Sequence, residues 1–141
     1  MQQAISTAIS NAILDWRDAE TVQLIEFPFK AISKQAPGRG HQKRPETKTF
    51  EQMVAEVAQE QINQKAEDDH LGIRIAFWVT KRNQDLDNLE KSINDGLKQI
   101  AFKDDHVFDY VEKVRVKAPA PDKEGFTVEI LRLVEKRNPW V

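Results

Sequence analysis

The sequence contains no cysteine and no long apolar run, and each absence excludes a class of protein. Without cysteine the chain has neither disulfide bonds nor thiolate metal sites, so any metal ion must be bound by oxygen or imidazole. No segment approaches the roughly 20 apolar residues of a membrane-spanning helix. The N-terminus also lacks the basic start and continuous apolar stretch of a secretory signal. We therefore expect a cytoplasmic protein with no membrane partner.

The composition is that of one ordinary globular domain. Its 141 residues are 40% hydrophobic, and a chain of this length buries roughly two-thirds of its unfolded surface around a single core. We expect one domain over residues 1–141, with an N-terminal helical extension at 1–18 and a core at 21–134. The net charge of −2 argues mildly against a surface that binds nucleic acid strongly.

Apolar residues at helical spacing predict three helices. The first is amphipathic and ends near Asp18. The second opens with a capping box formed by Thr49 and Gln52 and continues to about Ala66. The third begins at about Asp87.

Alternating apolar residues predict four strands, at 21–32, 71–80, 107–116 and 126–134. Pro28 indicates that the first is an edge strand or is broken by a bulge, and a change of phase in the last predicts a bulge near Ile130. The Pro- and Gly-containing segment APAPDKEG is short enough to join the last two as a hairpin. The order of elements predicts an α+β, or mixed α/β, domain. It has a mixed sheet of about four strands, two core helices and the extra N-terminal helix.

One stretch departs from the balanced charge of the chain. Between Lys30 and Lys48 there are six Lys/Arg residues and one acid, together with the prolines and glycines of a surface loop. Cations of this kind, including Arg39, Lys43 and Arg44, suit contacts with a phosphate backbone. An ordinary solvated loop is the alternative at this point.

The segment from Asp85 to Asp105, DLDNLEKSINDGLKQIAFKDD, has the pattern of a metal site. Asp85 and Asp87 open an amphipathic helix at a strand-to-helix junction, and an Asp-Asp pair closes the segment. Carboxylates so placed can hold a hard divalent cation such as Mg²⁺ or Mn²⁺. Lys91, one turn after Asp87, is placed to neutralise phosphate oxygens or to orient an attacking water.

Each of these residues also has a structural explanation. Asp87 with Glu90 fits a capping box, and an N-cap is the commonest role of an aspartate before an apolar periodic run. Asp104 and Asp105 could be turn residues, and Lys91 could form an intrahelical ion pair. The combination of acids, amide and lysine favours the functional interpretation.

These residues resemble the core of the RusA family of Holliday-junction resolvases. The family pattern is Asp-x-Asp-Asn-Leu-x-Lys, an Asp one turn later, and an Asp-Asp pair before a strand. The resemblance is clearest from Lys81 to Lys117. The matching residues are Asp85, Asp87, Asn88, Leu89, Lys91, Asp95, Asp104 and Asp105.

The resemblance implies a homodimeric endodeoxyribonuclease that binds four-way DNA junctions and nicks opposed strands with Mg²⁺, for which Mn²⁺ can substitute. Asp85, Asp87 and Asp105 then match the metal-binding catalytic acids, with Asp104 as the alternative to Asp105, and Lys91 matches the functional lysine. Expected DNA contacts are Lys81 and Arg82 ahead of the acids and the loop residues Arg39, Lys43 and Arg44. Two alternatives stay open: a catalytically silent module that binds branched DNA, and a metal-dependent nuclease for another branched DNA.

Overall fold

The computed structural model describes residues 19–33 and 45–132. The predicted N-terminal helix lies outside these residues. In chain order the elements are β1 (Glu20–Phe27), α1 (Pro45–Gln61), β2 (Leu71–Val79), α2 (Leu86–Leu97), β3 (Phe108–Lys117) and β4 (Gly125–Arg132). Short 3₁₀ turns at Asp105–Val107 and Pro121–Lys123 precede the last two strands.

The four strands form one mixed sheet in the order β1-β4-β2-β3. β2 pairs with β3 in parallel, through a crossover that contains α2, and β4 lies antiparallel between β2 and β1. Both helices pack on one face of the sheet. The predicted α+β class, with a four-stranded mixed sheet and two core helices, is confirmed.

The core lies between the two helices and this face of the sheet. Alternate residues of β2 and β4 point into it, and they meet the apolar faces of α1 and α2. The two helices approach closely where Gly96 faces Val54, since a Cβ at Gly96 would lie 2.8 Å from the Val54 Cβ. This contact sets the position of α2, the helix that begins at the predicted acids.

The opposite face of the sheet carries a buried ion pair. The Arg74 guanidinium on β2 donates to the Glu129 carboxylate on β4, and both side chains are less than one-tenth exposed. Thr21 on β1 donates its hydroxyl to the same carboxylate. Three of the four strands are thus joined through one buried acid, because a buried carboxylate requires hydrogen-bond partners.

Four sequence-based expectations of the fold are wrong. The last two strands are not a hairpin, because β2 lies between β3 and β4, and the segment between them crosses the end of β2, where Ala118 donates to the Val79 carbonyl. The register shift of the β1–β4 ladder lies opposite Leu131 and Ile130, but its extra residue is on β1, between Thr21 and Gln23, and not on β4. The second helix begins at Pro45, before the predicted capping box, and ends at Gln61. The first strand ends at Phe27, before Pro28, and it is an edge strand as predicted.

Candidate active site

Asp85 and Asp87 lie together at the N-terminus of α2. Asp85 is the N-cap residue: its backbone is extended, and its carboxylate accepts a hydrogen bond of 2.9 Å from the Asp87 N–H. The capping box with Asp87 as N-cap is therefore not formed, since the helix already begins at Leu86. Leu86 packs against the core, whereas both acids are exposed. The partial positive charge of the helix N-terminus stabilises two carboxylates at this position.

A lysine from the neighbouring strand is bound to Asp87. Lys113, on β3, donates hydrogen bonds from its ammonium to the carboxylates of Asp87 and Glu90, the latter at 2.7 Å. The Lys113 side chain is 20% exposed, whereas that of Asp87 is 70% exposed. The hydrogen bond from Lys113 holds the pKa of Asp87 below its ordinary value. Asp87 is therefore ionised and paired with a cation at neutral pH.

Lys91, the lysine that the sequence indicated, occupies a different position. It is exposed on α2, one turn after Asp87, and it lowers the pKa of Asp87 less than Lys113 does and through its charge alone. Among the described residues it forms no ion pair with Asp87. Its ammonium is therefore available to a ligand, whereas that of Lys113 is held by two carboxylates.

Asp104 and Asp105 lie at the opposite end of α2. The Asp104 carboxylate lies 3.7 Å from the ammonium of Lys98, the C-cap residue of α2, and accepts a hydrogen bond of 2.7 Å from the Asp105 N–H. The two carboxyl groups also interact with each other. Their mutual hydrogen bond lowers the pKa of Asp104 and raises that of Asp105. Asp105 is therefore the more readily protonated of the two carboxyl groups.

The length of α2 separates the two groups of acids. The helix has 12 residues and is about 18 Å long. β3 runs back along it, and Phe108, close to Asp105, is about 17 Å along the strand from Lys113, which contacts Asp87. One chain therefore does not bring Asp85, Asp87 and Asp105 together. Within residues 19–33 and 45–132, no group of three or more His, Asp or Glu side chains is arranged to hold a metal ion.

Comparison with known proteins identifies the domain. The family model described as endodeoxyribonuclease RusA matches residues 28–130, which include both helices, β2, β3 and all the predicted acids. The chain belongs to the RusA family. No curated protein matches it. The resemblance seen in the motif from Asp85 to Asp105 is thus confirmed over most of the chain.

RusA-family membership gives the chain an activity class and a substrate class. The family consists of endodeoxyribonucleases that act on Holliday junctions, so the chain is a nuclease domain for branched junction DNA. In the part of the chain that the structure describes, no helix combines the length and the apolar character needed to cross a membrane.

The predicted DNA-binding residues of this RusA domain fall into two groups. Lys81 and Arg82 are exposed in the connection between β2 and α2, a few residues before Asp85. Arg39, Lys43 and Arg44 lie outside the residues that the structure describes. The first group of cations is therefore separated from the acids only by Asn83 and Gln84.

The cations of β3 were not among the residues predicted from the sequence. Lys113, Arg115 and Lys117 lie on the face of the sheet that carries α2, and Arg115 donates a hydrogen bond to the Gln84 carbonyl, just before the acids. The sequence did contain a signal for them. Basic residues at every second position, alternating with valine, are typical of a strand with one charged face.

Proposed function

We propose that the protein is a Mg²⁺-dependent homodimeric endodeoxyribonuclease that resolves Holliday junctions by paired nicking in DNA recombination and repair. The observation that carries the proposal is the pair of exposed carboxylates, Asp85 and Asp87, at one helix N-terminus inside a RusA-family domain. The nuclease domain in this proposal spans residues 1–141, with its core at 21–134.

The metal ligands in this proposal are Asp85, Asp87 and Asp105, with Asp104 as the alternative to Asp105. These side chains fit a hard cation, because Mg²⁺ and Mn²⁺ prefer carboxylate oxygens and because both acids of α2 are exposed at the same helix end. A bound metal ion supplies a water of lowered pKa and polarises the phosphate. Lys91 neutralises the non-bridging phosphate oxygens, and Lys113 fixes the orientation of the Asp87 carboxylate.

The separation of the acids supports a homodimer. Because Asp105 lies a helix length from Asp85 and Asp87, a site with all three acids requires Asp105 from a second copy of the chain. Two-fold symmetry makes such an exchange reciprocal, so that a dimer contains two equivalent sites. Two sites suit a four-way junction, which presents two equivalent strands.

The DNA backbone is bound in this proposal by Lys81 and Arg82, and by Arg39, Lys43 and Arg44 of the basic loop. Lys81 and Arg82 are exposed and precede Asp85 by only a few residues. Phosphate contacts of this kind position a duplex or single strand without reading its sequence. They would hold the strand next to the acids.

Cleavage of a synthetic four-way junction with and without Mg²⁺ tests the proposal. We expect symmetrical nicks with Mg²⁺ and none in EDTA. The alternative is a catalytically silent module that binds branched DNA. Junction binding without cleavage under either condition would establish that alternative. Preferential cleavage of another branched DNA would show that the protein is a nuclease whose substrate is not the four-way junction.

Replacing Lys91 by alanine should reduce cleavage far more than stability. A charge beside the reacting phosphate is comparable to an oxyanion-hole donor, whose loss costs on the order of 100-fold or more in kcat. The free energy of unfolding should change by less than about 1 kcal/mol, because Lys91 is exposed. The measurement is the single-turnover cleavage rate together with the thermal unfolding midpoint.

Lys98 on the same helix is an unsuitable control, because its ammonium lies 3.7 Å from Asp104 and 3.9 Å from Asp95. Lys65→Ala is the control: this partly exposed lysine at the far end of α2 contacts Gln99 and Glu67, neither of which belongs to the proposed site. Equal and small losses of cleavage in the Lys91 and Lys65 variants would contradict a role for Lys91 in the reaction.

A further inference from the structure

A groove runs between β3 and the connection from β2 to α2. Its volume is about 680 Å³. The described residues that line it include four cations, Arg82, Lys113, Arg115 and Lys117, and no acid. A lining of this charge stands out in a chain whose net charge is −2.

The strand geometry explains why the cations share one wall. In the parallel ladder with β2, Lys113, Arg115 and Lys117 are paired with Ile75, Phe77 and Val79, so they all point to the helix-bearing side of the sheet. β3 is an edge strand of the described sheet. The wall of the groove is therefore a row of basic side chains along an edge.

The opposite wall is fixed to β3 by a hydrogen bond. The Arg115 guanidinium donates to the backbone carbonyl of Gln84, in the connection that also carries Arg82. The groove is thus built from two segments that are joined to each other beside Asp85. Its width is set by the fold, because Arg115 is partly buried at this contact.

The groove begins at the acids. Leu86, between Asp85 and Asp87, lines it, and so does Lys113, whose ammonium contacts the Asp87 carboxylate. From Lys113 to Lys117 the groove extends about 13 Å along the strand. A sugar-phosphate backbone that is bound along the groove from Lys117 would therefore reach Asp87.

A second cavity of similar size provides a contrast. It has a volume of about 550 Å³, lies near Trp78 and Phe27, and is lined by four acids and one lysine: Glu26, Glu60, Asp122, Glu124 and Lys123. The molecule therefore separates its charges between cavities. Of these two cavities among the described residues, the groove beside Asp87 is the one whose charge attracts a polyanion.

We infer that this groove binds the sugar-phosphate backbone of the DNA strand to be cut, with Arg115 and Lys117 contacting the phosphates next to the scissile one. The inference rests on the proposed function, because it takes Asp85 and Asp87 as the point of cleavage. Backbone contacts of this kind hold a strand in register without reading its bases.

The salt dependence of junction binding tests the groove. The probe is a fluorescent synthetic four-way junction in EDTA, titrated with protein between about 50 and 200 mM salt. In Arg115→Gln/Lys117→Gln the slope of log K against log salt should fall in magnitude by about 1.4 to 1.8, since each lost phosphate contact removes about 0.7 to 0.9. Lys117→Gln alone, which removes an exposed side chain and leaves the Arg115 contact in place, should account for about half of this change.

The matched control is Lys65→Gln/Lys103→Gln, which removes the same charge at the opposite end of β2, where Lys103 pairs with Asp69. Its slope should equal that of the parent protein. A parental slope in the groove variants would overturn the inference and reduce these cations to charges that keep an edge strand from pairing with another chain.

A neutral phosphate analogue locates the contact. After the cut is mapped with the parent protein and Mg²⁺, a methylphosphonate is placed at either phosphate that flanks it. One of the two should weaken binding of the parent protein and have no effect on Lys117→Gln, because that variant already lacks the contact. If the methylphosphonate and Lys117→Gln weaken binding additively, Lys117 contacts a different part of the DNA. A parent protein that binds the junction and makes no cut would refute the proposed function instead, and the salt slopes would still test the groove.

Discussion

Asparagine in place of Asp85 or Asp87 is expected to abolish junction cleavage and to leave the fold intact. Asparagine is as good an N-cap as aspartate, so the start of α2 is preserved in the Asp85 variant. In the Asp87 variant the fold loses only an ion pair whose acid is mostly exposed. Either change removes the charge of a proposed metal ligand. Loss of a residue that only hydrogen-bonds to a metal ligand costs about 10- to 100-fold in metal affinity or activity. Loss of a ligand's charge should cost more, so we expect the cleavage rate to fall by more than about 100-fold.

The measurement is the cleavage rate of a four-way junction, with the thermal unfolding midpoint as a check of the fold. Asp122→Asn, at an exposed acid in a 3₁₀ turn far from α2 in the sequence, is the control and should cut at the parental rate. Junction binding without metal should be unchanged or tighter in the Asp85 and Asp87 variants, because a negative charge that repels phosphate is removed. Near-parental cleavage by either of these two variants would contradict the metal-site assignment.

Mixed dimers should recover activity that each parent variant lacks. In the proposed homodimer, Asp87→Asn and Asp105→Asn each remove one ligand from every site. If each site takes Asp105 from the partner, a dimer of one Asp87→Asn chain and one Asp105→Asn chain contains one intact site and one doubly altered site. Purified through two different affinity tags, this mixed dimer should nick the junction at about half the parental rate.

Within-chain sites would give the opposite result, since every site of the mixed dimer would then lack one acid and no nicking would return. The same pairing with Asp104→Asn in place of Asp105→Asn decides between the neighbouring acids. Recovery requires that the Asp104→Asn homodimer be inactive, whereas an active Asp104→Asn homodimer leaves Asp105 as the ligand.

Elements with a strong local pattern could be predicted from the sequence, and the pairing of strands could not. β2 lies within one residue of its predicted bounds and α2 begins one residue before its predicted start, because a buried apolar strand and a helix with a clear apolar stripe have distinctive periods. The insertion of β4 between β1 and β2 was not predictable in the same way. Because β4 follows β3 in the chain, sequence adjacency favours a hairpin between them. The local pattern of residues does not show that β4 pairs with β2 instead.

The candidate site was partly predictable for a similar reason. Asp85 and Asp87 are neighbours in sequence, so their common position at a helix start follows from the helix itself. Lys113 is separated from Asp87 by 26 residues, and only the parallel pairing of β3 brings it to the acid. The distance of Asp105 from Asp87 depends on the length of α2 and on the direction of β3. A motif does not contain that information.

The cleavage products of a four-way junction show whether the protein is a Mg²⁺-dependent resolvase. The junction and a linear duplex of the same sequence are incubated with the protein in Mg²⁺ and in EDTA, and the strand ends are mapped. We expect two nicks at symmetrical positions on opposed strands of the junction in Mg²⁺, no cut in EDTA, and little cutting of the duplex. Equal cleavage in EDTA, or a junction that is bound in Mg²⁺ and never cut, would contradict the proposed function.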